Sequence, residues 1–453
     1  MGVRKYSCLL FQLAVGVYLL GALFFFVGRK TNLALPSSSS DLWETLNAYN
    51  IRLKKDVPQY NSQFNAQPDS YIIDPPNLPY TQQVSLPPAS NTTERQAAAF
   101  IVLVRNSELS GMLQSMHDVE GRFNKKFNYP WVFLNEEPFT EEFKQLTTLA
   151  AAPSKTHYGL VNESMWGYPS WISQTKAAAM REIMKDLPYG RSESYRHMCR
   201  FQRYIQNQNI ILNRIKPNLD ICIQTTSGFF WRHPLVLSLN LEYYWRVEPD
   251  VRYFCELDYD PFLYMKQNNK KYAFNISFKE HSGTIVTLWD TVKKFAQDAT
   301  NKGKNYFSHK VTDTIFHFLT TNEGQTYNGC HFWTNFEIAR LDLWHTEAYQ
   351  EFFEYLDHNG GFFYERWGDA PVHSIFAALY LHQDEVHFFN DIGYKHSIYQ
   401  HCPAEDRLIR RCTCNPSDSL DFTDHMSCLT EYMEARHYDD PNDKRTVNDM
   451  LLK

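Results

Sequence analysis

Glu248 and Asp250 stand two residues apart around Pro249, in the run Trp245-Arg246-Val247-Glu248-Pro249-Asp250. Glu242-Tyr243-Tyr244 before it has the aromatic content of a strand, and Pro249 removes a backbone donor, so both carboxylates stand where that strand ends in a turn. Two hard oxygen ligands beside Arg246 suit a divalent cation holding a diphosphate. The same spacing also describes a solvated turn with an Arg–Glu pair, so the chemistry needs support from elsewhere in the chain.

The elements that must position such a site begin at 97–104, a continuous apolar run closing on Arg105-Asn106 and reading as a buried parallel strand. A helical stretch over 108–123 follows, then Trp131-Val132-Phe133-Leu134-Asn135 as a second strand, and 140–149 as a helix with acids in its first turn. Strand and helix alternating over short connections predict an α/β sheet. Ligands of such sheets bind beyond the carboxyl ends of the strands, which places Arg105 and Asn135 at the binding edge. No glycine-rich phosphate loop is present, so a bound anion must be held by side chains and metal.

With 453 residues, 15% aromatic and 21% charged, the chain has enough apolar surface for a large core. Its net charge of −6 and the lack of basic runs interleaved with aromatics exclude nucleic acid as a partner. Residues 8–27 are uncharged and flanked by Arg4 and Lys5 and by Arg29 and Lys30, long enough to cross a bilayer as a helix. That run exceeds the apolar region of a signal peptide, and Gly28-Arg29-Lys30 is unsuited to cleavage, so it reads as a retained signal anchor. Both flanks are basic, and orientation rests on other features. Cysteines clustered late (Cys402, Cys412, Cys414, Cys428) and acceptor patterns at Asn91, Asn162 and Asn275 fit a lumenal or extracellular body. The domain plan is a cytosolic tail over 1–7, the anchor over 8–27, a Ser- and Pro-rich, largely disordered stem over 28–96 and a lumenal body over 97–453. Nine cysteines leave the disulfide connectivity open, although Cys412 and Cys414 stand too close for easy mutual bridging.

Four further blocks join the acidic turn: Tyr195-Arg196-His197-Met198-Cys199-Arg200-Phe201, Cys330-His331-Phe332-Trp333-Thr334-Asn335-Phe336-Glu337-Ile338, the run from Gly360 through Arg366-Trp367-Gly368-Asp369 to Ser374, and Asp391-Ile392-Gly393-Tyr394-Lys395-His396. Across 97–428 the chain closely resembles the fungal α-1,2-mannosyltransferases of glycosyltransferase family 15, type II Golgi membrane proteins that elongate mannan on N- and O-linked glycans. The resemblance implies a GT-A-like fold in one large catalytic domain, GDP-mannose as donor, Mn2+ as cofactor, a mannosylated glycoprotein acceptor and retention of anomeric configuration. It implies that Glu248 and His396 are metal ligands, Glu337 is the nucleophile or front-face stabiliser, and Tyr195 and Asp369 belong to the cleft. Arg105, Arg246 and Asp250 are then expected to bind the nucleotide sugar. Where the family often has His-Pro-Pro this chain has His396-Ser397-Ile398, which leaves the backbone after the histidine freer.

Each residue also has a plainer reading. His396 alone is a structural histidine, Glu337 a carboxylate paired among aromatics, and Asp369 a partner for an arginine such as Arg366. The aromatic run 360–367 reads as core with a few exposed rings. An imidazole and a carboxylate leave several Mn2+ positions for diphosphate oxygens and water. A glycoside hydrolase pairing Glu248 with Glu337 fits the acids but not the anchor or the blocks. A catalytically inactive family member or mis-spliced product that binds glycans or partners without turnover is the competing class.

The family runs from the Tyr195–Phe201 block almost directly into Ser-Gly-Phe-Phe, whereas here 203–226 intervenes with six isoleucines, four asparagines, three glutamines and no glycine. That composition of A/T-rich codons, with a possible GT donor across Arg203-Tyr204 and an AG acceptor at Ser227, leads us to infer a retained intron of 24 codons that preserves the frame. The plainer reading is a genuine insertion, since loops tolerate length. The main transcript is expected to lack these codons, and a dominant message that keeps them overturns the inference.

Overall fold

The computed structural model describes residues 95–201, 230–421 and 424–453. The expected tail, anchor and nearly all of the stem lie outside the described residues, as does the 203–226 segment. Among the described residues no helix is long and apolar enough to cross a membrane.

Among the described residues fourteen strands occur in chain order: β1 (Ala98–Leu103), β2 (Trp131–Asn135), β3 (Thr156–Leu160), β4 (Tyr243–Arg246), β5 (Val251–Tyr253), β6 (Tyr272–Phe274), β7 (Ser277–Lys279), β8 (Thr320–Thr321), β9 (Thr326–Tyr327), β10 (Cys330–Phe332), β11 (Glu337–Arg340), β12 (Val386–Phe388), β13 (Tyr394–His396) and β14 (Tyr399–His401). Seven of them form the main sheet in the order β12-β6-β11-β4-β1-β2-β3. All neighbours in it are parallel except those of β11, which runs antiparallel to both β4 and β6.

The sheet is buried on both faces because its strands are apolar in both registers. Ala99, Ile101, Val132, Leu134 and Tyr244 point into one cluster, closed by Val292, Phe352 and Ile375 from the helices Leu288–Asn301, Glu347–Asn359 and Asp369–Tyr380. Ala98, Phe100, Trp131, Phe133 and Trp245 point the other way, against Met112 and Met116 of the Leu109–Val119 helix and Phe143 of the Glu141–Ala151 helix. Thr140 caps the latter by accepting from the Phe143 amide at 3.1 Å, and Glu141 and Glu142 occupy its first turn, as the sequence predicts. The run 360–367 is mainly core, with Phe362, Phe363 and Trp367 buried.

β5, β13 and β14 make a separate antiparallel sheet that sets His396 opposite Val251, one residue beyond the acidic turn. Disulfides Cys255–Cys412 and Cys402–Cys414 tie this sheet to the chain that follows it, and Cys330–Cys428 anchors β10. Cys412 and Cys414 thus have separate partners, and Cys199 is buried.

The glycosylation reading of Asn275 is overturned. Its side chain is buried and donates to the Ile392 carbonyl at 3.3 Å, so a folded chain has no room for a glycan there. Asn162 is exposed, and Asn91 lies outside the described residues.

His401, at the end of β14, is a buried charge centre. Nδ1 faces Asp421 at 2.8 Å and Nε2 faces the Asn390 carbonyl at 2.9 Å, so both nitrogens meet acceptors and the ring carries two protons. Burial lowers its pKa, but the Asp421 charge and these hydrogen bonds outweigh burial and raise it above 6.5. A raised folded pKa gives stability that is complete below the unfolded value and is lost as pH rises through the folded one. Urea unfolding of the wild type is expected to show this loss as pH rises above 6.5, and Asp421→Asn to flatten it. Parallel pH profiles of the two proteins would exclude the effect.

Candidate active site

The site is assembled on the carboxyl edge of the main sheet, where the chain leaves β1 and β2 on one side and β4 on the other. Arg246, the last residue of β4, is buried. Its Nε and Nη2 hold Glu248 Oε1 at 2.7 and 2.6 Å, and its Nη1 donates to Asp369 Oδ2. Asp369, in the first turn of the Asp369–Tyr380 helix, also accepts from Thr334 Oγ1 at 2.7 Å. Burial lowers the Arg246 pKa, but the two carboxylates override it and raise the pKa well above its ordinary value. The sequence offered Arg366 as partner for Asp369; the partner here is Arg246, and Arg366 pairs with Glu280. The Arg–Glu pair of the plainer reading exists, but as part of a buried network rather than a solvated turn.

Glu248 retains 18% of its side-chain exposure and lines a cleft together with Arg105, Asn135, Glu136, Trp166, Tyr195 and Arg246. Asp250 sits apart from that lining. It has a left-handed backbone (φ 58°), donates its amide to the Gly111 carbonyl at 3.1 Å, and rests its carboxylate where a Cβ on Gly111 would come within 2.3 Å. Gly111 is therefore required for the acidic turn to lie against the Leu109–Val119 helix.

His396 approaches from β13. Its ring stacks on Trp333 with centroids 5.3 Å apart and planes at 18°, and its buried Nδ1 has no hydrogen-bond partner. Burial lowers its pKa, only partly offset by Glu248 and Asp250, so the imidazole is neutral at neutral pH. A neutral ring with an unused nitrogen, within the electrostatic reach of two carboxylates, is a competent metal ligand.

Glu337 opens β11 and pairs with Arg246 across the ladder. Its carboxylate is 1% exposed and accepts from the Tyr244 hydroxyl, from the Tyr272 hydroxyl at 2.8 Å and from His373 Nδ1 at 2.9 Å. Burial raises its pKa, but His373, Tyr244 and Arg246 together bring it below the ordinary carboxylate value. Glu337 is a fixed negative charge beneath the cleft floor and not part of the cleft lining.

On the cleft wall, Arg105 spans Glu136 at 3.2 Å and the Ser194 hydroxyl. Tyr195, on the Glu193–Phe201 helix, stacks on Tyr189 at 4.5 Å and accepts from Arg366 Nη1 at 3.2 Å. Arg366 has only donors, so the phenolic proton of Tyr195 points elsewhere, and burial holds that proton on by raising the pKa well above 10. Glu280 grips Arg366 Nη2 at 2.9 Å. Sequence reasoning missed Glu280, Thr334, Trp333 and the Glu337 donors Tyr244, Tyr272 and His373. Only Trp333, Thr334 and His373 lie in the blocks quoted above, and nothing in the sequence marked Glu280, Tyr244 or Tyr272 for the site. Among the described residues, the closely spaced groups of three metal-type side chains are built on disulfide cysteines, which do not coordinate.

The model of the family described as glycolipid 2-alpha-mannosyltransferase matches residues 55–224 and 205–437. The chain belongs to this family. The two matched pieces overlap within the 203–226 segment. Glycolipid 2-alpha-mannosyltransferase 2 of Candida albicans is 46% identical over 354 residues, 77% of this chain and 69% of that protein. O-glycoside alpha-1,2-mannosyltransferase omh1 of Schizosaccharomyces pombe is 42% identical over 391 residues, 85% of this chain and 90% of its own. Core-mannan synthase A from Aspergillus fumigatus, solved in an Mn/GDP form, superposes with a TM-score of 0.65 at 35% identity, covering 77% of this chain and 88% of that one. The mannosyltransferase described here shares that mixed α/β architecture, and its cleft lies where the sheet topology of an α/β enzyme puts its ligand.

Proposed function

We propose that this mannosyltransferase moves mannose from GDP-mannose to mannose residues of N-linked or O-linked glycans, with Mn2+ and with retention of configuration, from a lumenal domain anchored in the Golgi membrane by residues 8–27. The observation that carries the donor site is that Glu248, still open to the cleft, lies within electrostatic reach of His396, whose buried Nδ1 has no hydrogen-bond partner. One carboxylate and one neutral imidazole fit Mn2+ and leave room for diphosphate oxygens. The relative solved in an Mn/GDP form supports Mn2+ as the metal and a GDP-linked donor. When bound, the metal supplies Lewis acidity that offsets charge building on the departing GDP.

The chain's own groups complete the reading. Arg105 and Arg246 bring positive charge to the cleft edge, Tyr195 offers a proton on a neutral phenol, and Asp369 fixes the Arg246 fork. Asp250 contributes negative charge near His396 rather than a cleft surface. A carboxylate already accepting from three donors is a poor nucleophile and a good fixed counter-charge, which favours Glu337 as stabiliser of the developing positive charge on the sugar.

GDP-mannose, methyl α-mannoside and Mn2+ incubated with the purified chain are expected to give an α-1,2-linked disaccharide, read by NMR. Donor and acceptor recovered unchanged would support the inactive class, and free mannose released from mannosides would support a hydrolase.

A further inference from the structure

We propose that Trp333 is a positioning residue that fixes the ring plane of His396 and so sets the affinity of the metal site. The proposal rests on the reading of Glu248 and His396 as the Mn2+ ligands. A histidine that binds a metal ordinarily has its other ring nitrogen tied to a carboxylate or carbonyl, which fixes tautomer and ring plane. Here that tie is missing, because neither ring nitrogen of His396 has a hydrogen-bond partner among the described residues, so whichever one meets the metal leaves the other untied. The torsion that turns an imidazole about its Cβ–Cγ bond is broad, so nothing intrinsic to the side chain fixes its plane.

The backbone after the histidine does not supply the missing constraint. β13 and β14 pair His396 with Tyr399 across a two-residue turn, Ser397-Ile398. Ser397 is left-handed at φ 54°, a conformation closed to proline, and Ile398 is 79% exposed and packs on little. What does hold the ring is the indole of Trp333, stacked at 5.3 Å and 18°. Trp333 is itself wedged edge-on against Phe278 at 5.4 Å and Tyr399 at 5.6 Å, and its amide donates to the Ile276 carbonyl at 2.9 Å. The next residue, Thr334, holds Asp369 and through it Arg246, and Arg246 holds Glu248. One turn between β10 and β11 therefore orients both candidate ligands, the histidine by stacking and the carboxylate by hydrogen bonds.

Mn2+ binding by the full chain in detergent with GDP, followed by the loss of the free Mn2+ EPR signal, tests this. Trp333→Leu is expected to weaken Mn2+ about 10-fold or more, the size typical of losing an orienting partner, while Trp333→Phe, which keeps a flat face, stays within about 3-fold of wild type. GDP binding without metal should be unchanged in both, and Trp333→Leu should regain kcat at saturating Mn2+. If the Leu variant does not fold, Trp333→Met, whose flexible thioether adapts to the gap and has no flat face, is expected to weaken Mn2+ similarly. Wild-type affinity in the Leu or Met variant overturns the proposal, as does a Phe variant as weak as Leu. A wild type that binds no Mn2+, or a His396→Ala variant that binds it equally well, instead overturns the ligand assignment beneath it.

Discussion

Glu248→Gln is expected to lower kcat/KM with GDP-mannose on the order of 10³-fold, a loss of about 4 kcal/mol of transition-state stabilisation. The amide keeps the shape but removes the charge on the cleft-exposed carboxylate, leaving His396 to hold a divalent cation with a neutral partner. Mn2+ affinity should fall in parallel, measured by EPR, whereas a purely structural glutamate would leave it unchanged. The fold should survive, because Arg246 keeps Asp369, whose carboxylate is further held by Thr334 at 2.7 Å. Asp369→Ala differs in that respect. It removes the more deeply buried partner of the guanidinium and is expected to destabilise the protein by about 3–5 kcal/mol, the range for breaking a buried pair. Activity of Glu248→Gln within tenfold of wild type would exclude the metal role.

Glu337→Gln separates the two roles left open for that residue. If Glu337 acts as a fixed counter-charge, the variant loses about 10²- to 10³-fold in kcat with little change in KM for GDP-mannose, and neither variant nor wild type accumulates a mannosylated protein. If it is the nucleophile, mass spectrometry of rapidly quenched wild type finds mannose on Glu337. The hydrogen-bonding shell favours the first outcome, since Tyr244, Tyr272 and His373 already occupy the carboxylate. Because the folded pKa of Glu337 is depressed, its contribution to stability is present above the unfolded value of 4.5 and is lost as pH falls through the folded one. The carboxylate is consequently ionised wherever the enzyme works near neutral pH.

What the sequence determined by itself is local in origin. The apolar run that became β1, the Thr140 cap, the strand ahead of the acidic turn and the core character of 360–367 all follow from periodicity, capping and burial, which act over a few residues. The placement of Arg105 and Asn135 on the cleft also followed, because the carboxyl edge of an α/β sheet is a property of its topology. Partners were not legible. Arg246 rather than Arg366 takes Asp369, Asn275 is packed away under Ile392, and the cysteines pair 255–412, 330–428 and 402–414. The tertiary structure decided these through one long-range choice above all. β11 enters the sheet antiparallel between β4 and β6, which sets the amino end carrying Glu337 beside the carboxyl end carrying Arg246. The turn that feeds it brings Trp333 under His396. Local preferences make a strand of Glu337–Arg340 in either direction, and only packing against its two neighbours fixes which end meets the acidic turn.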